Sequence, residues 1–169
     1  AAAVVTVGAI HGGVRSNIIP EELEMIGTIR TFDPEMREQL HQRFRTIVTN
    51  TAESNGATAL VELPYSSHYP VTYNDPGLTD QMLDTLERTA GKVNVVLIDA
   101  ITGAEDFSFF ANEVPGLFLF VGGKPRSVPE DVKVSHHTPD FYIDESGMKL
   151  GLRTLLNLTL DYMNQASTQ

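Results

Sequence analysis

Apolar and polar positions set the order of elements along the chain. Val4 to Ile10 is rich in β-branched residues and is broken by Gly12-Gly13. From Leu23 to Phe32, Leu23, Met25 and Ile29 alternate with Glu22, Glu24 and Thr28. A period of two marks a half-buried strand, so two strands are predicted, with Arg30 on the polar face and pointing outward. Asp33-Pro34-Glu35 then supplies an N-cap acceptor, a proline at the first helical position and an acid in the first turn. Met36, Leu40, Phe44, Ile47 and Val48 recur at helical spacing up to the stop at Asn55-Gly56, and a third strand is predicted from Ala57 to Leu63. Strand, strand, helix, strand is half of a two-layer α/β sandwich.

From Pro64 to Pro76 the sequence turns to Pro, Ser, Tyr, Asn and His, a linker composition and the candidate domain boundary. Beyond it the pattern predicts a helix from Pro76 to Ala90 stopped by Gly91, a strand from Val93 to Ile98, a short helix from Glu105 to Asn112 and a strand from Leu117 to Val121. A loop of about twenty residues follows. A long apolar helix runs from Glu145 to Asn164, with Asp144 as its cap. Alternating strands and helices favour an α/β layer of mostly parallel strands.

Composition narrows the function. With 169 residues the chain can form one ordinary domain or two small ones, and its 41% apolar and 20% charged residues are those of a folded protein. Twelve basic against 22 acidic residues leave a net charge of −10, which repels a polyanion and argues against nucleic-acid binding. No apolar run approaches the roughly 20 residues of a membrane span, so no membrane role is expected. The absence of cysteine excludes a disulfide framework, a thiol nucleophile and a cysteine zinc site. The compartment stays open, with the cytoplasm favoured. The chain starts without methionine and enters strand-like sequence at once, which reads as a piece of a longer protein.

Four groups carry candidate chemistry. His136-His137-Thr138-Pro139-Asp140 lies in the long loop, where an imidazole beside a stiffening proline is a plausible metal ligand; a histidine pair in a loop is also commonly plain solvated surface. A catalytic zinc needs about three protein ligands, and no His-Glu-x-x-His helix exists to supply them. Glu105 and Asp106 follow a predicted strand at the start of a short helix. They could bind substrate or exchange protons, or could merely stabilise the helix dipole. Arg30 offers a planar fork suited to a carboxylate and Asn17 offers amide donors, though a surface arginine is usually only solvated. Ser66-Ser67-His68 has a nucleophile and a base in name, without the Gly-x-Ser-x-Gly elbow. His11, His41 and His68 are scattered, with His41 expected on a partly exposed helix face.

Taken in order, Gly12-Gly13-Val14-Arg15-Ser16-Asn17-Ile18-Ile19-Pro20, Gly27-Thr28-Ile29-Arg30-Thr31-Phe32, Gly103 to Phe110, and His137-Thr138-Pro139-Asp140-Phe141 with Asp144-Glu145 form a recognisable set. It resembles the co-catalytic metallopeptidase family of aminoacylases, hippurate hydrolases and indole-acetyl-amino-acid amidohydrolases, over nearly the whole chain. The resemblance implies part of a zinc-peptidase-like α/β catalytic domain, from residue 70 to 169. It also implies part of a two-layer ferredoxin-like lid and dimerisation domain, from residue 1 to 69. Within that family two divalent metals, usually zinc, sit in the catalytic domain.

By the same resemblance His137 matches a metal ligand. Asn17 and Arg30 match lid positions that hold the substrate, often reaching into the partner subunit's site. Glu105 and Asp106 match a cleft loop in which Ala104 replaces the usual serine. The other metal ligands, the glutamate base and the lid histidine would fall before Ala1. The function implied is metal-dependent hydrolysis of the amide bond of N-acyl amino acids or related small amides by a homodimer. The rival reading is a non-catalytic ferredoxin-like dimerisation or small-molecule-binding module.

Overall fold

The computed structural model describes residues 3–66, 68–129, 131–132 and 136–167. Ser67 of the Ser66-Ser67-His68 phrase lies outside them. By its internal packing the chain divides into two compact units, Ala1–Thr72 with Ala100–Phe109, and Tyr73–Asp99 with Phe110–Gln169.

The first unit is built on an antiparallel pair, β1 (Ala3–Gly12) and β2 (Leu23–Thr31), registered from Ala3 opposite Thr31 to Gly12 opposite Leu23. A bulge between Val7 and Ala9 lets Gly8 stand out of the ladder. Gly27 lies against it, where a Cβ would come within 2.2 Å of the Thr6 carbonyl oxygen, so no larger residue fits that backbone. Helix α1 (Pro34–Ser54) starts as the sequence requires: the Asp33 carboxylate accepts from the Glu35 and Met36 amides at 2.8 and 3.2 Å. It ends at Asn55, followed by Gly56 at φ 72°.

In the second unit α2 (Pro76–Ala90) packs on α4 (Met148–Ala166). Asp75 caps α2 by accepting from the Leu78 amide at 2.7 Å, and Gly91 closes it at φ 87°. Met82, 2% exposed, is a buried apolar side chain of α2, and Thr85 on α2 and Thr154 on α4 are buried too. Polar pairs lace the rest. Thr85 donates to Asp161 at 2.5 Å, Arg88 pairs with the same carboxylate, and the Asn157 amide donates to Thr89 at 2.9 Å.

Three segments predicted as strands, 57–63, 93–98 and 117–121, carry no ladder. A strand is stable only when a neighbour takes up its backbone groups, and among the described residues these segments have none. Their backbone finds other partners: Arg45 of α1 donates to the carbonyls of Val61 and Leu63, and the Asn74 side chain exchanges two hydrogen bonds with Phe118. Some apolar side chains along them stay outside, with Leu60 89% and Leu97 98% exposed, while Leu63, Val95 and Leu117 are half-buried. Among the described residues the expected parallel layer of the second half forms no ladder, and the antiparallel pair of the first unit is the sheet that does.

Two helix starts also move. The chain turns tightly at Glu105, whose carbonyl accepts from both the amide and the hydroxyl of Ser108, so helix α3 spans Phe107–Glu113 rather than starting at Glu105. Asp144 accepts from the Ser146 amide at 2.9 Å and caps a 3₁₀ turn, Glu145–Gly147, that precedes α4.

Candidate active site

The candidate residues fall in both units. In the second unit, His137 precedes a turn in which the Phe141 amide donates to the Thr138 carbonyl at 3.1 Å, with Pro139 and Asp140 at its centre. Proline presets the backbone angle of the first central position. The turn brings Phe141 back to His136, ring centroids 4.7 Å apart and tilted 39°. His137 itself is exposed and holds φ 63°, a left-handed conformation that is uncommon for a residue with a Cβ. The far end of the loop is fixed where the Asp144 amide donates to the Gly123 carbonyl at 2.7 Å. The Ser146 hydrogen bonds to Asp144 hold its carboxyl below the ordinary range.

Asn17, Arg30, Glu105 and Asp106 belong to the first unit. Asn17 lies exposed in the β1–β2 loop, within a turn closed by a 3.4 Å bond from the Ile18 amide to the Arg15 carbonyl. Arg30 pairs across from Val4, at the other end of the ladder. Seven residues separate it from Leu23, where the loop ends, or about 23 Å of extended strand. The hairpin by itself therefore does not bring the two side chains together.

Arg30 is exposed, as its place on the polar face requires, and its Nη1 donates to the Thr102 carbonyl at 2.8 Å. Glu105 is half-buried and Asp106 exposed, just ahead of α3 rather than within its first turn. Ser108, fully buried, anchors the Glu105 carbonyl at 2.6 Å through its hydroxyl, and the Phe109 ring rests against Tyr69 at 5.9 Å. These partners had no signature in the sequence. A main-chain acceptor such as Thr102 can be any residue type, and a phenylalanine–tyrosine contact 40 positions apart leaves no local pattern.

Among the described residues no three His, Asp or Glu side chains gather into a metal site, and no helix is long and apolar enough to cross a membrane. The exposed imidazole of His137 has the donor chemistry of one metal ligand and fits a single corner of such a centre. A shallow hollow at the β-bulge, lined by Thr6, Gly8, Ala9, Ile26, Gly27 and Thr28, contains none of the candidate residues.

The described chain thus combines an antiparallel pair and four helices with an exposed loop histidine and an acidic turn at Glu105 and Asp106. Residues 5–161 match the model of Peptidase family M20/M25/M40, and the chain belongs to that family. It is 33% identical over 162 residues to thermostable carboxypeptidase 2 of Saccharolobus solfataricus, covering 96% of this chain and 40% of that protein. It is 32% identical over 162 residues to N-acetyldiaminopimelate deacetylase of Leuconostoc citreum, with 95% and 39% covered. The crystal structure of the Bacillus subtilis YXEP protein, described as a dinuclear metal binding peptidase of the M20 family, superposes with a TM-score of 0.64 at 26% identity. That match covers 92% of this chain and 40% of the other. The chain thus spans about two-fifths of the length of the relatives it matches.

Proposed function

We propose that this chain is part of a metal-dependent amidohydrolase that cleaves the amide bond of N-acyl amino acids or related small amides and works as a homodimer. Residues 1–69 serve in it as part of the lid and dimerisation domain, and residues 70–169 as part of the catalytic domain. The observation that carries the reading is the family match across residues 5–161, which contains Asn17, Arg30, Glu105, Asp106 and His137. Relatives named as a thermostable carboxypeptidase and as an N-acetyldiaminopimelate deacetylase support a substrate with an amide beside a free carboxylate.

In this reading His137 holds one metal ion. The chemistry a divalent metal supplies when bound is Lewis acidity toward the scissile carbonyl, and zinc is the ion proposed. Arg30 grips the substrate carboxylate through its planar fork, and Asn17 contributes an amide donor. Glu105 and Asp106 line the cleft and orient the substrate.

The test is metal content and turnover of the full-length protein. His137→Ala is expected to remove stoichiometric zinc and to lower kcat/KM on N-acetyl amino acids by at least about a hundredfold, more than loss of a residue that only supports a ligand. Full metal content and full activity in that variant would count against the reading.

A further inference from the structure

Among the described residues, the stretch 96–104 makes one hydrogen bond, from Arg30 Nη1 to the Thr102 carbonyl. Ile101, Gly103 and Ala104 are exposed, and a Cβ placed on Gly103 would meet only the tip of Ile101 at 3.9 Å. From Glu105 onward the chain is fixed, because the buried Ser108 holds the Glu105 carbonyl and Tyr69 lies on Phe109. Glu105 therefore stands between a firm anchor downstream and a single tether three residues upstream. That tether comes from β2, 72 residues away.

We infer that Arg30 is a positioning residue for Glu105: it ties the 100–106 segment to the end of β2 and so sets where the Glu105 carboxylate stands. This goes beyond carboxylate recognition, and only its kinetic consequence rests on the proposed function. The division of labour is geometrically possible because a guanidinium carries five N–H donors and Thr102 engages one. The remaining donors stay available to a carboxylate. One charged group then both receives the substrate and carries the loop. A lysine can keep the first task only weakly, having no planar fork, but can still donate one bond to a main-chain carbonyl.

The experiment uses the full-length protein with Arg30→Met, which keeps the apolar stem, and Arg30→Lys. Two readouts are taken: hydrogen exchange of the Ser108 and Phe109 amides without substrate, and kcat and KM on an N-acetyl amino acid and on its neutral amide. In Arg30→Met, exchange at Ser108 and Phe109 is expected to rise about tenfold, the scale of one lost hydrogen bond to a charged group, while β1 and β2 amides stay unchanged. On both substrates kcat falls by a similar factor, whereas KM rises only for the acid. Arg30→Lys recovers exchange and kcat but not KM.

Unchanged exchange in Arg30→Met overturns the tether, as does exchange that rises equally in β2. A kcat lost only on the acid, or an Arg30→Lys variant no better than Arg30→Met, overturns the positioning role. Were the protein inactive on both substrates, the amidohydrolase reading would fail while the exchange data still decided the tether. Should Arg30→Met not fold, Arg30→Gln, which removes the guanidinium but keeps a polar side chain, takes its place: a rise in Ser108 exchange with β2 unchanged upholds the tether, and wild-type exchange overturns it.

Discussion

The two units of this chain are held by different bonds. In the first, β1 and β2 satisfy each other through a backbone ladder, and their side chains contribute little burial: Val5 and Val7 of β1, and Leu23 and Met25 of β2, are all about half exposed. In the second, the cohesion lies in side chains, with Met82 buried on α2 and the Thr85–Asp161–Arg88 group joining α2 to α4. Equally β-prone segments of this second unit, 93–98 and 117–121, stay outside any ladder. Apolar, β-branched sequence is thus insufficient for a strand. An antiparallel neighbour one loop away can complete a pair locally, while a parallel one must come from farther along the chain.

If side chains carry the second unit, Met82→Ala should have the largest effect. Emptying that position is expected to cost about 2–5 kcal/mol, read as a lower denaturation midpoint for α2 and α4 with β1–β2 exchange unchanged. Equal loss in both units would mean that they do not melt separately. If backbone geometry carries the first, Gly27→Ala should be the next most damaging, about 1–3 kcal/mol, because its methyl must push the Thr6 carbonyl away. Gly8→Ala at the bulge, where nothing lies within 4 Å, serves as the control and should be nearly neutral.

The smallest effect sharpens the contrast through pH. The Asp161 carboxyl is held below its ordinary value, first by the Thr85 hydroxyl and then by Arg88. A lowered folded-state pKa means that the stabilisation is present above the unfolded-state value and is lost as pH falls through the folded one. Asp161→Asn should therefore lower the thermal midpoint of the helix pair at neutral pH, and the difference from wild type should shrink below about pH 4. A pH-independent difference would assign the loss to packing instead.

Helix boundaries were the most legible part of the fold. Asp33-Pro34, Asp75-Pro76 and the glycines at 56 and 91 are local devices, and each acts in the structure within a few residues of itself. Strands were legible only where their partner was one loop away. For the site, sequence singled out Asn17, Arg30, Glu105, Asp106 and His137 by residue type and motif order, and local rules placed Arg30 on an outward face. It could not show that Asn17 and Arg30 are at opposite ends of the hairpin, because the ladder register sets that distance. Nor could it show that the Glu105 turn would delay α3 until Phe107, since the buried Ser108 hydroxyl competes for the Glu105 carbonyl.

Residue type and short-range spacing by themselves determined the helices, the first two strands, the acidic character and the family motifs, because capping, periodicity and turn chemistry act over a handful of bonds. Only tertiary structure decided that the 100–109 segment joins the first unit and that Arg30 finds the Thr102 carbonyl 72 residues away. A main-chain carbonyl is the same group in every residue, so its partner is chosen by where the fold brings the chain.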